Sequence, residues 1–190
     1  WMYNLYDDGK LVTEDDKHFF KMASKDLCAL KQVPELIEAG VDSFKIEGRR
    51  KASNYIACVV KAYRRVIDDY YNQRELQYDK SLNDIYKCEN RLTSYGFLKG
   101  NVKVEQMSYN IEETLLKAGE YIAMVKECKN GYVYLDLHNK ITNNTKYLVL
   151  SPIVDDFEIE VKDLESKENK QIEYVKKDVE TVAGKDVRFR

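Results

Sequence analysis

The spacing of apolar residues changes character along this chain, from helical periods in the first half to period two from Tyr121 onward. Tyr55, Ile56, Val59, Val60, Tyr63, Val66, Ile67 and Tyr70 recur at intervals of three and four, which predicts an amphipathic helix over 55–70. Lys61, Arg64, Arg65, Asp68 and Asp69 fill its other side and read as a solvated face. Upstream, Pro34 sits where a short helix begins and Gly40 where it stops, with Leu36, Ile37 and Ala39 between them as its apolar face. Ser24 is a candidate N-cap for an earlier helix through Leu27, Cys28, Leu30 and Lys31. Residues 18–23 read as a short buried strand.

Residues 42–47 follow Gly40 directly and read as a strand with charge in its middle. Side chains alternate along a strand, so Phe44 and Ile46 share one face and Lys45 and Glu47 the other. An ionisable pair inside a sheet needs water, a partner or a ligand. Helix, glycine and strand in that order make an αβ unit of a parallel sheet. Residues 72–90 are polar and partly helical, and 91–100 form a loop in which Gly96 and Gly100 bracket Phe97. In the second half, residues 121–126 and 132–138 alternate in period two around Lys129-Asn130-Gly131, a hairpin signal. Further short strands are expected at 147–150, 157–161, 172–175 and 187–189, the texture of a small sandwich or barrel. The expected organisation is therefore a β/α portion over 1–75, a helical and loop connector over 76–118, and a small β-barrel domain over 119–190.

Composition narrows the partners. A net charge of −2 argues against a broad electrostatic footprint for nucleic acid, while leaving room for a local basic patch. No apolar run approaches the ~18 residues of a membrane span. Cys28, Cys58, Cys88 and Cys128 contain no CxxC pair, so neither a zinc ribbon nor a redox motif is supported, and a reduced, cytoplasmic protein is expected. Asn143-Asn144-Thr145 matches the glycosylation sequon by chance, since no secretory signal accompanies it. The Trp1-Met2 start leads us to expect the C-terminal piece of a longer protein.

Ser24-Lys25-Asp26-Leu27-Cys28, then Pro34-Glu35-Leu36-Ile37-Glu38-Ala39-Gly40-Val41-Asp42-Ser43, then Lys45-Ile46-Glu47-Gly48-Arg49 together resemble peptidase family U32, the collagenase-like proteases. Agreement continues through Tyr55, Val59, Val60, Ala62, Tyr63 and Arg64, and Arg91, Gly96, Phe97 and Gly100 resemble a later family element. Arg50 stands where the family more often has methionine, and 92–95 departs from its usual pattern.

The resemblance implies an α/β plus all-β protein: the last βα units of a TIM-type (β/α)8 barrel followed by a small C-terminal β-barrel. Lys45, Glu47 and Arg49 would then lie at the lumen and catalytic mouth of the last strand. The simpler reading of Lys45 and Glu47 is a buried, mutually neutralising ion pair. Hydroxylase branches of the family hold a four-iron, four-sulfur cluster on four cysteines, which makes Cys28 the expected metal ligand, with three further cysteines upstream of Trp1; read alone, Cys28 is a small core residue. Cys58 is expected to pack in the core. The implied activity is oxygen-independent tRNA uridine 5-hydroxylation with prephenate as co-substrate, other branches acting on ribosomal RNA or a quinone precursor. Arg49, Arg50 and Lys51, with Lys61, Arg64 and Arg65, would meet tRNA phosphates. The alternatives are a collagenase-like peptidase or, in this chain by itself, a non-catalytic RNA- or protein-binding module. Proteolysis would need a nucleophile–base pair or a metal site, whereas His18 and His138 lie in different modules and no HExxH motif occurs.

Overall fold

The computed structural model describes residues 2–3, 6–11, 20–21, 25–88, 90–101, 115–116, 119–152, 154–165, 174–175 and 186–189. They belong to two units, Trp1–Gly119 and Glu120–Arg190. Ser24 and His18 lie outside the described residues, as do most of 18–23.

The first unit begins with four short strands, β1 (Met2–Tyr3), β2 (Tyr6–Asp7), β3 (Lys10–Leu11) and β4 (Phe20–Lys21). β2 turns into β3 through Asp8 and Gly9, and β1 pairs antiparallel with β4. β5 (Asp26–Leu27) leads through Cys28 into a single 3-10 turn, Leu30–Gln32, and then α1 (Val33–Glu38). The helix expected over 27–31 is thus replaced by a strand and one turn, because Asp26 and Leu27 find long-range partners. They pair in parallel with β7 (Thr93–Ser94), extended by Asp26 N–H to Leu92 O at 3.0 Å and Cys28 N–H to Ser94 O at 2.8 Å. A parallel pair needs a crossover, and α1, α2 (Ser53–Tyr71) and α3 (Tyr78–Tyr86) provide it. β6 (Asn90–Arg91) pairs with β8 (Leu115–Leu116).

α1 ends as its sequence requires. Val41 N–H bonds to Leu36 O and Gly40 N–H to Ile37 O, the two bonds of a Schellman cap, with Gly40 left-handed at φ 87. A Cβ on Gly40 would meet no atom within 4 Å, so only backbone strain opposes a side chain there. Gly40→Ala is expected to cost about 1–2 kcal/mol, seen as a lower urea midpoint at unchanged slope; an unchanged midpoint would mean that the cap is not strained.

Residues 41–48 do not form the expected strand. Their burial still alternates, with Phe44 and Ile46 half-buried and Ser43, Lys45 and Glu47 exposed. A strand is defined by its ladder, and no described segment pairs with this one. What survives is the packing. Phe44 and Ile46 join Leu30, Val33, Val59, Ala62, Val66 and Ile85 in the core beneath α2.

The apolar stripe of α2 buries Cys58, Val59, Ala62 and Val66, while Val60 is exposed. The face read as solvated is only partly so. Arg64 and Asp68 pair in solvent at 2.6 Å, but Asp69 is buried and Arg65 turns inward to α3. There Asp84, its side chain 4% exposed, lies 2.6 Å from both Arg65 Nη1 and Lys87 Nζ. α3 falls in the stretch expected to be a connector, and it packs on α2.

The second unit contains β9 (Ala123–Lys129), β10 (Tyr132–Leu137), β11 (Ile141–Thr142), β12 (Thr145–Val149), β13 (Phe157–Val161), β14 (Tyr174–Val175) and β15 (Asp186–Phe189). β9 and β10 form the expected hairpin, with Asn130 and Gly131 both left-handed at φ 53 and 78, as a type I′ turn demands. Between the pairs Tyr134–Glu127 and Leu135–Val125 the register shifts, leaving Lys126 as the extra residue of a bulge. The sheet order is β15-β10-β9, with separate pairs β12-β13 and β11-β14. Leu135, Leu137, Ile141, Val161 and Leu164 make the core. The protein is thus mixed α/β with small sheets. Neither a (β/α)8 barrel nor a closed β-barrel is formed by the described residues, whose parallel pairing is limited to β5 and β7.

Candidate functional site

Cys28 sits at the C-terminal end of β5, in the loop before the 3-10 turn, rather than on a helix. It is half-buried. The next residue, Ala29, donates its N–H to the Tyr63 hydroxyl at 2.8 Å, which ties the loop to α2. Burial, and then the electrostatic influence of Cys28, hold the Tyr63 hydroxyl above the usual phenol range. Tyr63 is therefore neutral where its hydroxyl accepts the Ala29 N–H.

A cleft of about 150 Å³ opens at Cys28. It is lined by the turn residues Leu30, Lys31 and Gln32, by Tyr78 and Leu82 of α3, and by Thr93, Ser94 and Tyr95 at the end of β7. The ends of the two parallel strands thus both reach it. Thr93 is oriented by a 3.1 Å hydrogen bond to the Tyr86 hydroxyl, and the Ser94 hydroxyl accepts the N–H of Gly96 at 3.3 Å. Burial, then the charge of Glu35, raises the Tyr78 hydroxyl as well, so Tyr78 enters the cleft neutral.

Lys45, Glu47 and Arg49 do not line this cleft. All three are exposed, and Glu47 Oε1 accepts the backbone N–H of Arg49 at 3.1 Å, a local turn bond. A buried Lys45–Glu47 ion pair is not formed. The basic set shrinks too, since Arg64 pairs with Asp68 and Arg65 with Asp84, leaving Arg49, Arg50 and Lys51 exposed, Lys51 over the Tyr55 ring at 4.6 Å. Cys58 is buried in the core, and Cys88 donates its thiol to Ile85 O at 3.0 Å. His138 stacks on Tyr121 at 4.5 Å.

Among the described residues no three of His, Cys, Asp or Glu converge so as to hold a metal ion. Cys28 therefore offers one thiolate, and these residues do not fit a complete cluster. Sequence periodicity does not single out Gln32, Tyr78 or the run 93–95. The one available signal is Gln32, an amide set between the core residues Leu30 and Val33.

Comparison with known proteins adds to this geometry. The chain is 40% identical over 116 residues to tRNA hydroxylation protein P1 of Bacillus subtilis, covering 57% of this chain and 27% of that protein. It is 30% identical over 151 residues to tRNA hydroxylation protein P of Haemophilus influenzae, covering 76% and 32%. It is 39% identical over 72 residues to a 23S rRNA 5-hydroxycytidine synthase of Escherichia coli, covering 38% and 11%. The chain thus spans about a third or less of each of these relatives. Residues 1–108, which include Cys28 and every residue of the cleft, match peptidase family U32, and the chain belongs to that family.

Proposed function

We propose that this chain is the C-terminal part of an RNA-hydroxylating enzyme acting on tRNA, with uridine C5 as the position modified. One observation carries the reading. The likeness to the Haemophilus tRNA hydroxylation protein covers 76% of the chain, more than the first unit holds, so it continues into the second. The ribosomal relative is also named for a pyrimidine hydroxylation. In this reading residues 25–101 close a β/α barrel completed by other parts of the protein, and 119–190 serve as a small β-barrel that contacts RNA. Cys28 supplies one ligand of a four-iron, four-sulfur cluster, with the other three outside this chain, and prephenate is the co-substrate. Lys45, Glu47 and Arg49 act at the mouth. The enzyme works in the cytoplasm, where its tRNA substrate is; no helix among the described residues is long and apolar enough to cross a membrane. A peptidase reading finds no support in the second unit's histidine, since His138 is stacked on Tyr121 with no carboxylate or nucleophile bonded to it among the described residues.

The test is nucleoside mass spectrometry of tRNA from a strain lacking the gene. Loss of 5-hydroxyuridine-derived nucleosides, restored by the gene on a plasmid, is expected. An unchanged nucleoside profile would overturn the proposal, and loss of collagen cleavage instead would favour the peptidase.

A further inference from the structure

Two of the four cysteines meet inside the first unit. Cys58 lies on α2 and Cys88 just beyond the end of α3, on helices that pack against each other, and both are buried, at 3% and 0% exposure. They are far apart in sequence, so only this packing brings them together. Cys88 gives its thiol proton to Ile85 O at 3.0 Å. A hydrogen bond from the Cys58 side chain is the first cause holding the Cys88 thiol below the usual cysteine range, against burial, with the Lys51 charge adding to the fall. A thiol has one proton to give, so the Cys88 sulfur is the acceptor of this pair and Cys58 the donor.

Packing alone asks only for small apolar side chains at these two positions, not for two sulfurs in contact. A metal would need further donors, and among the described residues no three ligating groups converge. The chemistry left to two adjacent thiols is closure to a disulfide, in which the sulfurs move to about 2.05 Å. Burial shields them from bulky reagents. Cys88 nevertheless follows a helix end, where its N–H reaches Ile85 O only at 3.4 Å, and helix ends open locally more readily than their middles. An oxidant little larger than water can use such openings.

We propose that Cys58 and Cys88 are a modification site apart from the Cys28 cleft, closing to a reversible internal disulfide when the folded protein meets hydrogen peroxide. The Cys88 thiolate attacks one peroxide oxygen, the O–O bond breaks, and hydroxide leaves as water with the proton that Cys88 released. Cys88 is then a sulfenic acid. The Cys58 sulfur attacks the Cys88 sulfur, the S–O bond breaks, and the hydroxide leaves with the Cys58 proton as a second water. Two electrons pass from the thiols to the peroxide, so two thiols and one peroxide give one disulfide and two waters. The cross-link ties the end of α3 to α2, close in sequence to Tyr86, whose hydroxyl bonds Thr93 in the cleft lining. It stands whether or not the protein hydroxylates RNA.

The test is peptide mapping without reductant after graded hydrogen peroxide, on a Cys128→Ser protein, because the exposed Cys128 thiol would otherwise link molecules. The peptides carrying Cys58 and Cys88 are expected to be joined, with a mass about 2 Da below their sum and at least about tenfold in excess over any pairing with Cys28. Dithiothreitol should separate them. The cross-link closes a long loop between packed helices, so the melting midpoint should rise by about 5 °C or more until reductant is added. Cys58→Ala leaves Cys88 without a resolving thiol, and Cys88 should then pass to the sulfinic acid, a gain of about 32 Da that dithiothreitol does not reverse. Both thiols still reduced in folded protein whose Cys28 is fully oxidised would overturn the proposal. So would a cross-link that appears only above the unfolding midpoint, or one that lowers the midpoint. If Cys58→Ala does not fold, the map and the melt of the Cys128→Ser protein decide.

Discussion

Asp84→Ala should lower the stability of the protein by about 3–5 kcal/mol, the usual cost of stranding one member of a buried ion pair. Arg65 reaches Asp84 Oδ2 and Lys87 reaches Oδ1, each at 2.6 Å. Oδ2 makes no hydrogen bond of good direction, so the Arg65 contact is ionic and lies off the hydrogen-bond line. The Arg65 side chain is only 15% exposed and stands 3.5 Å from the Ser81 hydroxyl. Removing the carboxylate leaves that guanidinium facing a hydroxyl and apolar neighbours with little water to screen it. Against a typical total stability of about 5–15 kcal/mol, this is enough to populate unfolded protein. Asp84→Asn retains the shape and should cost less. The double change Arg65→Met with Asp84→Leu should recover much of the loss, because it removes both desolvated charges together. Urea denaturation of the parent and these three variants settles the point. An Asp84→Ala midpoint shift worth less than about 1 kcal/mol would show that the pair contributes little.

The same contact shows what the sequence could and could not tell. Arg65 and Asp69 fall on the polar side of the α2 stripe, and periodicity alone assigns them to water. Arg65 is drawn inward by Asp84 of α3 and Asp69 is buried, and nothing local to 55–70 reports either. Where the signal is local, it is legible. Pro34 and Gly40 bound α1 through steric and φ requirements of their own, Asn130-Gly131 forms its turn, and residues 157–161 are a strand as their alternation predicts. The stretch 42–47 is an instructive middle case. Alternation separates Phe44 and Ile46 from Lys45 and Glu47 correctly, but alternation describes faces, not ladders, and no described strand pairs with it. The parallel pair that does form joins Asp26–Leu27 to Thr93–Ser94 across the whole helical crossover, and two-residue strands carry no periodic signature. The cleft is hidden for the same reason. Its walls come from segments far apart in sequence, so Gln32 is visible as an odd amide but not as part of a site.

Under the proposed function, Cys28→Ala, carried by the gene that complements a deletion strain, should abolish tRNA hydroxylation while leaving the fold nearly intact. Cys28 is half-buried at a cleft, and its backbone N–H holds Ser94 O whatever the side chain, so alanine preserves the β5–β7 pair. The Tyr63 hydroxyl keeps its bond from Ala29 N–H as well. Loss of the sulfur should therefore cost no more than about 1–2 kcal/mol, and a thermal melt would verify it. If Cys28 is the proposed cluster ligand, its loss should also lower the iron content of the purified protein, a readout independent of activity. The exposed trio provides the internal comparison. Lys45→Ala, Glu47→Ala and Arg49→Ala remove solvent-facing side chains, so each should change stability by within about 0.5 kcal/mol. Any loss of modified uridine in those three would report chemistry or RNA contact rather than folding. Full modification in the Cys28→Ala strain would remove the cysteine from the mechanism, and full modification in all three surface variants would remove the mouth assigned to Lys45, Glu47 and Arg49. Because none of the trio lines the cleft, the two results are independent of one another.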